Sequence, residues 1–142
     1  MEKLGVETAV IKTVFAYKIN VAIAAILIFL NIQAFMSVLM ATDDALPIIV
    51  GILLCVACFI YGFLSLNGYL TKIIVYEGGF AIKSPLRKTI VHEDKIKKAT
   101  FRRVNIKKII INVSIHDGRD IEINSAKYGD ITPLIDYLKQ FK

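Results

Sequence analysis

The chain has 142 residues, 18 Lys and Arg against 12 Asp and Glu for a formal net charge of +6, and 56% hydrophobic residues, above the roughly 45–50% of soluble domains. No charged residue occurs from Ile19 to Thr42 or from Ala45 to Thr71. Such runs exclude an ordinary soluble globular protein and leave residues 72–142, close to the lower limit for a core that stands alone.

Residues 1–18 read as a short amphipathic tail. Leu4, Val10, Ile11, Val14 and Phe15 recur at near-helical spacing, so the tail is expected to lie along a membrane surface or to extend the first helix. Residues 19–71 read as a transmembrane helical hairpin with spans 19–41 and 46–70. Each is long enough for about 30 Å of hydrocarbon. The turn between them holds Asp43 and Asp44, and Pro47 suits the first turn of the second helix. The first run is too long for a signal-peptide core and ends in no small-x-small site, so cleavage is not expected. Lys3, Lys12 and Lys18 precede the hairpin and 15 Lys/Arg follow it, with none in the turn. Both termini are therefore expected on the cytoplasmic side of the cell membrane.

Each span carries a stripe. Asn20, Ala24, Leu27, Asn31 and Ala34 share one face of the first helix. Gly51, Cys55, Cys58, Gly62 and Ser65 share one face of the second. Small residues permit close backbone approach, and amides facing them can bond across helices. The stripes either pack on each other within the hairpin or serve self-association or a partner's helices. Cys55-x-x-Cys58 lacks a second ligand pair and lies within the apolar run, so both are read as small apolar residues. No ionisable residue lies at mid-span, which argues against a pump or channel.

From Lys72 the period changes to two. Tyr76–Phe80 reads as a hairpin with a three-residue loop, setting Tyr76 opposite Phe80 and Ile74 opposite Ile82. Pro85-Leu86-Arg87 reads as a second turn, with Ile82 opposite Ile90. A third hairpin centred near Asn105 sets Phe101 opposite Ile109, Ala99 opposite Ile111 and Arg103 opposite Lys107, an unfavourable like-charge pair. His116-Asp117-Gly118, with Gly118 left-handed, sets Val113 opposite Ile121 and Ile111 opposite Ile123, which keeps each apolar set on one face. Pro133, with Thr132 or Asp130 as N-cap, opens a last helix. Its stripe is Ile131, Leu134, Ile135, Leu138 and Phe141.

Five or six short antiparallel strands and a closing helix, with Ile74–Ile82, Thr89–Ile96 and Ile121-Glu122-Ile123 as the matching segments, resemble the small bacterial PH-like domains that follow a transmembrane hairpin. The resemblance implies an α+β membrane protein: a two-helix transmembrane hairpin, then a small antiparallel PH-like sheet or partial barrel over 72–142, closed by a C-terminal helix. PH-like folds bind phosphoinositides through a basic loop after the first strand. The loop in that position here is Glu77-Gly78-Gly79, which is acidic, so that site is not carried over.

Lys95, Lys97, Lys98, Arg102, Arg103, Lys107 and Lys108 place seven cations in 14 residues, within a segment of net charge +7 (15 Lys/Arg against 8 Asp/Glu over 72–142). This stretch is the candidate surface for anionic lipid or a protein partner. Few exposed aromatics and a membrane anchor argue against nucleic acid. His92-Glu93-Asp94 and His116-Asp117 match no metal-ligand spacing, and no nucleophile–base or phosphate-loop motif is present. The expectation is a non-catalytic protein with no cofactor or metal. It would bind a membrane-protein partner, a second copy, the anionic inner leaflet, or a combination of these. Alternatives are self-protection against membrane-active peptides, or an accessory subunit of a transport or secretion complex.

Overall fold

The computed structural model describes residues 4–14 and 16–142, which divide into two compact units. One unit is helical and ends at Tyr69. The other joins the segment up to Val14 with Leu70–Lys142. The chain therefore does not place the hairpin before the β domain. The hairpin is inserted within it.

The helical unit consists of α1 (Ala16–Ala41) and α2 (Ala45–Leu70), 26 residues each and so about 39 Å long. Both are long and apolar enough to cross a membrane. The Thr42 hydroxyl accepts a hydrogen bond from the Asp44 amide at 3.1 Å in the turn between them.

The tail expected to be amphipathic instead forms a strand, β1 (Glu7–Lys12), antiparallel to β2 (Lys72–Tyr76). Phe15, a member of the expected helical stripe, and Lys3 lie outside the described residues. Five consecutive positions, Thr8 to Lys12, carry β-branched or short side chains or end the strand, and Ile11 is buried. Pairing with an apolar strand outweighs a weak helical period. β3 (Gly79–Lys83) and β4 (Lys88–His92) complete a sheet of order β1-β2-β3-β4. A single 3-10 turn, Glu93–Lys95, leads to β5 (Ile96–Asn105). β6 (Lys108–Ile115) and β7 (Asp120–Asn124) complete a second sheet of order β5-β6-β7. The sheets do not close on each other.

Inward residues of both sheets meet in one core. Ile11, Ile73, Val75, Phe80 and Val91 come from the first, and Ile96, Ala99, Ile111, Val113 and Ile123 from the second. The last helix, α3 (Thr132–Leu138), adds Leu134 and Leu138, both fully buried. Pro133 lies in its first turn. The Asp130 carboxylate accepts from the Thr132 amide at 3.0 Å, while Ile131 occupies the N-cap position itself. These bonds to Thr132 hold the Asp130 carboxyl below the ordinary carboxylate range. The exit of β1 is tied down separately. Val14 donates to the Lys127 carbonyl at 3.1 Å, and Gly129 donates to the Lys12 carbonyl at 2.9 Å.

Three of the four expected registers differ. β2 and β3 join through a two-residue turn, so Tyr76 pairs with Gly79, Val75 with Phe80 and Ile73 with Ile82. Ile73, Ile74 and Val75 are all apolar, so alternation cannot select which face is inward. Gly79 has φ +152°, and a Cβ there would overlap the Val91 carbonyl, so this glycine serves the strand rather than the turn. Ile82 faces Thr89, not Ile90. The Ser84 hydroxyl accepts from the Arg87 amide at 3.0 Å and closes a four-residue turn. In the β5–β6 hairpin Phe101 faces Ile111, Ala99 faces Val113 and Arg103 faces Ile109, which removes the expected Arg103–Lys107 opposition. The Asn105 side chain accepts from the Lys107 amide at 3.0 Å and fixes this tip. The β6–β7 register is as read, with Val113 opposite Ile121, Ile111 opposite Ile123, and Gly118 at φ +85°.

The strand assignment of the tail carries a stability consequence. Ile11→Ala is expected to cost about 2–4 kcal/mol, and Val10→Ala on the other face under about 1 kcal/mol. Denaturant unfolding of the full chain in detergent, followed by the β-sheet circular dichroism signal, measures both. Equal costs would contradict the strand. Tyr137 on α3 gives a second test. Its buried hydroxyl has no hydrogen-bond partner among the described residues, and burial, then the Glu93 charge, push the phenol up to about 12. The folded value lies above the unfolded one near 10, so the native state keeps its proton longer. Stability is full below pH 10 and falls as pH rises through about 12. Tyr137→Phe should remove that alkaline loss and stabilise by up to about 1 kcal/mol.

Candidate functional site

The seven cations of the 95–108 stretch do not form one cradle. Lys95 sits in the 3-10 turn. The pairing of β5 with β6 shifts between Ile96 and Lys98, and this irregularity leaves Lys97 and Lys98 both exposed. Lys98 and Arg102 then lie on the face away from the core, whereas Arg103 shares the face of Ala99 and Phe101. Lys107 belongs to the hairpin tip and Lys108 is half-buried at the start of β6. On the outward face of the same sheet, Asp120 and Glu122 of β7 stand opposite Ser114 and Asn112. The tip also presents Ile106, 87% exposed, beside Val104. Hydrophobic patterning did not single out Ile106, because one apolar residue in a charged turn carries no period.

A tighter group of cations lies in the first sheet. Lys12 pairs with Lys72, Lys72 with Lys83, and Lys83 with Lys88. The row crosses all four strands. Side chains alternate along a strand, and Ile11, Ile73 and Ile82, one position away, face the core. All four lysines therefore share the outward face. Lys12, Lys72 and Lys88 are exposed and Lys83 is half-buried. The Lys83 ammonium donates to the Tyr76 hydroxyl at 3.3 Å, and among the described residues no carboxylate forms an ion pair with any of the four. Arg87 stands exposed in the β3–β4 turn at the same end, beside Leu86, 58% exposed. Sequence reading missed this row because Lys12 and Lys88 are 76 positions apart and meet only through register. The one visible signal was that Lys72 follows directly on the second apolar run.

Between the unclosed edges lies a cleft of about 340 Å³ whose polar lining includes Arg87, Lys95, Asp117, Arg119 and Asp120. Arg119 and Asp117 pair within it at 3.4 Å. Among the described residues no three His, Cys, Asp or Glu side chains come together to hold a metal.

In the helical unit, Gly51, Cys55, Cys58, Gly62 and Ser65 are the less exposed positions of α2 through that stretch. Their counterparts on α1 are Val21, Ala24, Ile28, Asn31, Phe35 and Val38. The expected α1 stripe shares only Ala24 and Asn31 with this face, and Asn20 is exposed. The difference is one of size: bulky Ile28 and Phe35 fill the gaps that the α2 glycines leave. A Cβ on Gly51 would overlap the Phe35 ring, and one on Gly62 would come within 2.9 Å of Ile28 Cδ1. Asn31 does not bond across the hairpin through its amide. Its Nδ2 donates to the Leu27 carbonyl of its own helix at 2.9 Å, and it is the Asn31 backbone carbonyl that faces the Cys55 thiol at 4.0 Å.

Comparison with protein families, with curated proteins and with solved structures finds no match to this chain.

The Gly51–Phe35 fit can be tested by oxidation. In a Cys58→Ser background, Asn31→Cys is expected to cross-link readily to Cys55. Adding Gly51→Leu should reduce that yield several-fold by forcing the helices apart. An unchanged yield would show that Phe35 does not set their separation.

Proposed function

We propose that the chain is a non-catalytic membrane protein. In this reading α1 and α2 cross the cytoplasmic membrane as a hairpin, both termini are cytoplasmic, and the β unit is a PH-like binding module. The module works against the anionic leaflet or against a membrane-protein partner held beside it. The observation that carries the reading is the insertion of two span-length apolar helices between β1 and β2 of a single sheet. A domain built this way is joined to the helices through two adjacent strands, β1 and β2, rather than through one. Four strands followed by three, with a C-terminal helix against their core, support the PH-like plan. The first strand of that plan is β1, so the loop after it is the helical hairpin, and the acidic Glu77-Gly78 turn follows the second strand. The excess of cations outside the helices and the acidic Asp43-Asp44 turn support the orientation.

Single cysteines introduced in a Cys55→Ser/Cys58→Ser background test the topology. Glu77→Cys and Lys139→Cys should react with an impermeant maleimide only in inside-out vesicles. Asp44→Cys should react only in intact cells with a permeable outer layer. Labelling of all three from one side would overturn the spanning hairpin.

A further inference from the structure

We propose that Lys12, Lys72, Lys83 and Lys88, with Arg87 beside them, form a docking face for anionic phospholipid headgroups, a proposal that rests on the membrane-spanning reading of α1 and α2. Neighbouring strands lie about 4.8 Å apart, so four ammonium groups spring from a line about 14 Å long. Like charges directly opposed across strands destabilise a sheet. Here that opposition occurs three times in succession, and the Lys83 ammonium donates only to a neutral hydroxyl among the described residues. An apposed anionic surface relieves all three repulsions together.

Two further observations identify that surface. First, the row stands at the end of the sheet where the chain runs into the helices. Thr71 alone separates Lys72 from Leu70, the last residue of α2, and three residues separate Lys12 from α1. Second, the sheet is polarised. Its acidic residues, Glu7, Glu77, Glu93 and Asp94, all lie at the opposite end, at the start of β1, in the β2–β3 turn and after β4. A sheet with cations at the helix-bearing end and carboxylates at the other sets that end toward negative charge. Leu86 at the tip of the β3–β4 turn adds an apolar contact at the same end. The row is spread over four strands, not folded into a loop. It therefore recognises the charge density of phosphodiester headgroups and not one headgroup's shape.

The test uses the full chain reconstituted in vesicles of phosphatidylcholine and phosphatidylglycerol, extracted mildly, with the co-purifying lipids counted by mass spectrometry. The wild type is expected to enrich phosphatidylglycerol. The variant K12Q/K72Q/K83Q/K88Q should lose that enrichment by at least about tenfold. K12R/K72R/K83R/K88R should keep it, which separates loss of charge from loss of fold. The charge-matched control K97Q/K98Q/R102Q/K107Q should keep most of it. Phosphatidylserine and cardiolipin should be enriched equally per charge. Equal loss in the control, no enrichment in the wild type, or strong selection of a single headgroup would overturn the proposal. Displacement of the lipid by inorganic phosphate at constant ionic strength would also overturn it, by assigning the row to a free anion. Alkaline carbonate extraction from phosphatidylcholine vesicles separates the two readings. Release of the protein overturns the spanning helices and the docking face together, whereas retention without phosphatidylglycerol enrichment overturns the docking face alone.

Discussion

The pairing of β1 with β2 is the constraint on which the β unit depends. It joins segments separated by about 60 residues, and closing so long a loop carries an entropic cost that grows only slowly with its length. The helical hairpin can therefore be inserted in the connection at little extra expense to the fold. In return the core gains Ile11, which completes the inward row formed with Ile73 and Ile82. Without β1, β2 would be an edge strand with buried apolar side chains on both faces, which is a poor edge. The bonds from Val14 and Gly129 to the 127–129 segment and to Lys12 then hold the strand at the point where the chain departs.

The same pairing aligns charge. A register shift of one residue anywhere in the first sheet would move a lysine to the core face and break the row. The turns that set the register are specific: Glu77-Gly78 before a Gly79 where a Cβ would overlap the Val91 carbonyl, and Ser84–Arg87 closed by the Ser84 hydroxyl. Core packing and surface electrostatics are in this way set by the same few hydrogen bonds. The basic stretch of β5 has no such organisation. Its cations divide between two faces, a turn and a tip, so density along the chain did not become density in space.

How much was legible follows from the range of each signal. The Gly118 turn was read correctly because the strands beside it alternate cleanly, and only one loop length keeps Val113 and Ile111 opposite Ile121 and Ile123. The β2–β3 turn was misread because Ile73, Ile74 and Val75 offer no alternation. In the β5–β6 hairpin a shift of two residues preserves the faces, so the apolar pattern was satisfied by both registers. Only the like-charge conflict at Arg103 hinted at the error. The α2 stripe was visible from its small residues. The α1 face was displaced from the expected one because the fit is decided by bulk against glycine, not by polarity.

The sequence by itself determined two apolar helices of membrane-spanning length, the acidic turn between them, a following segment of short strands, and a C-terminal helix with its apolar stripe. These are local properties: run length, period and turn chemistry are complete within 10 to 25 neighbouring residues. The tertiary structure alone decided that the N-terminal segment is a strand of the β unit and which residues face each other across its first sheet. It also decided that four scattered lysines stand in one row. Each of these depends on which distant segment a strand pairs with, and strand pairing is settled by the collective burial of one face, which no single segment encodes.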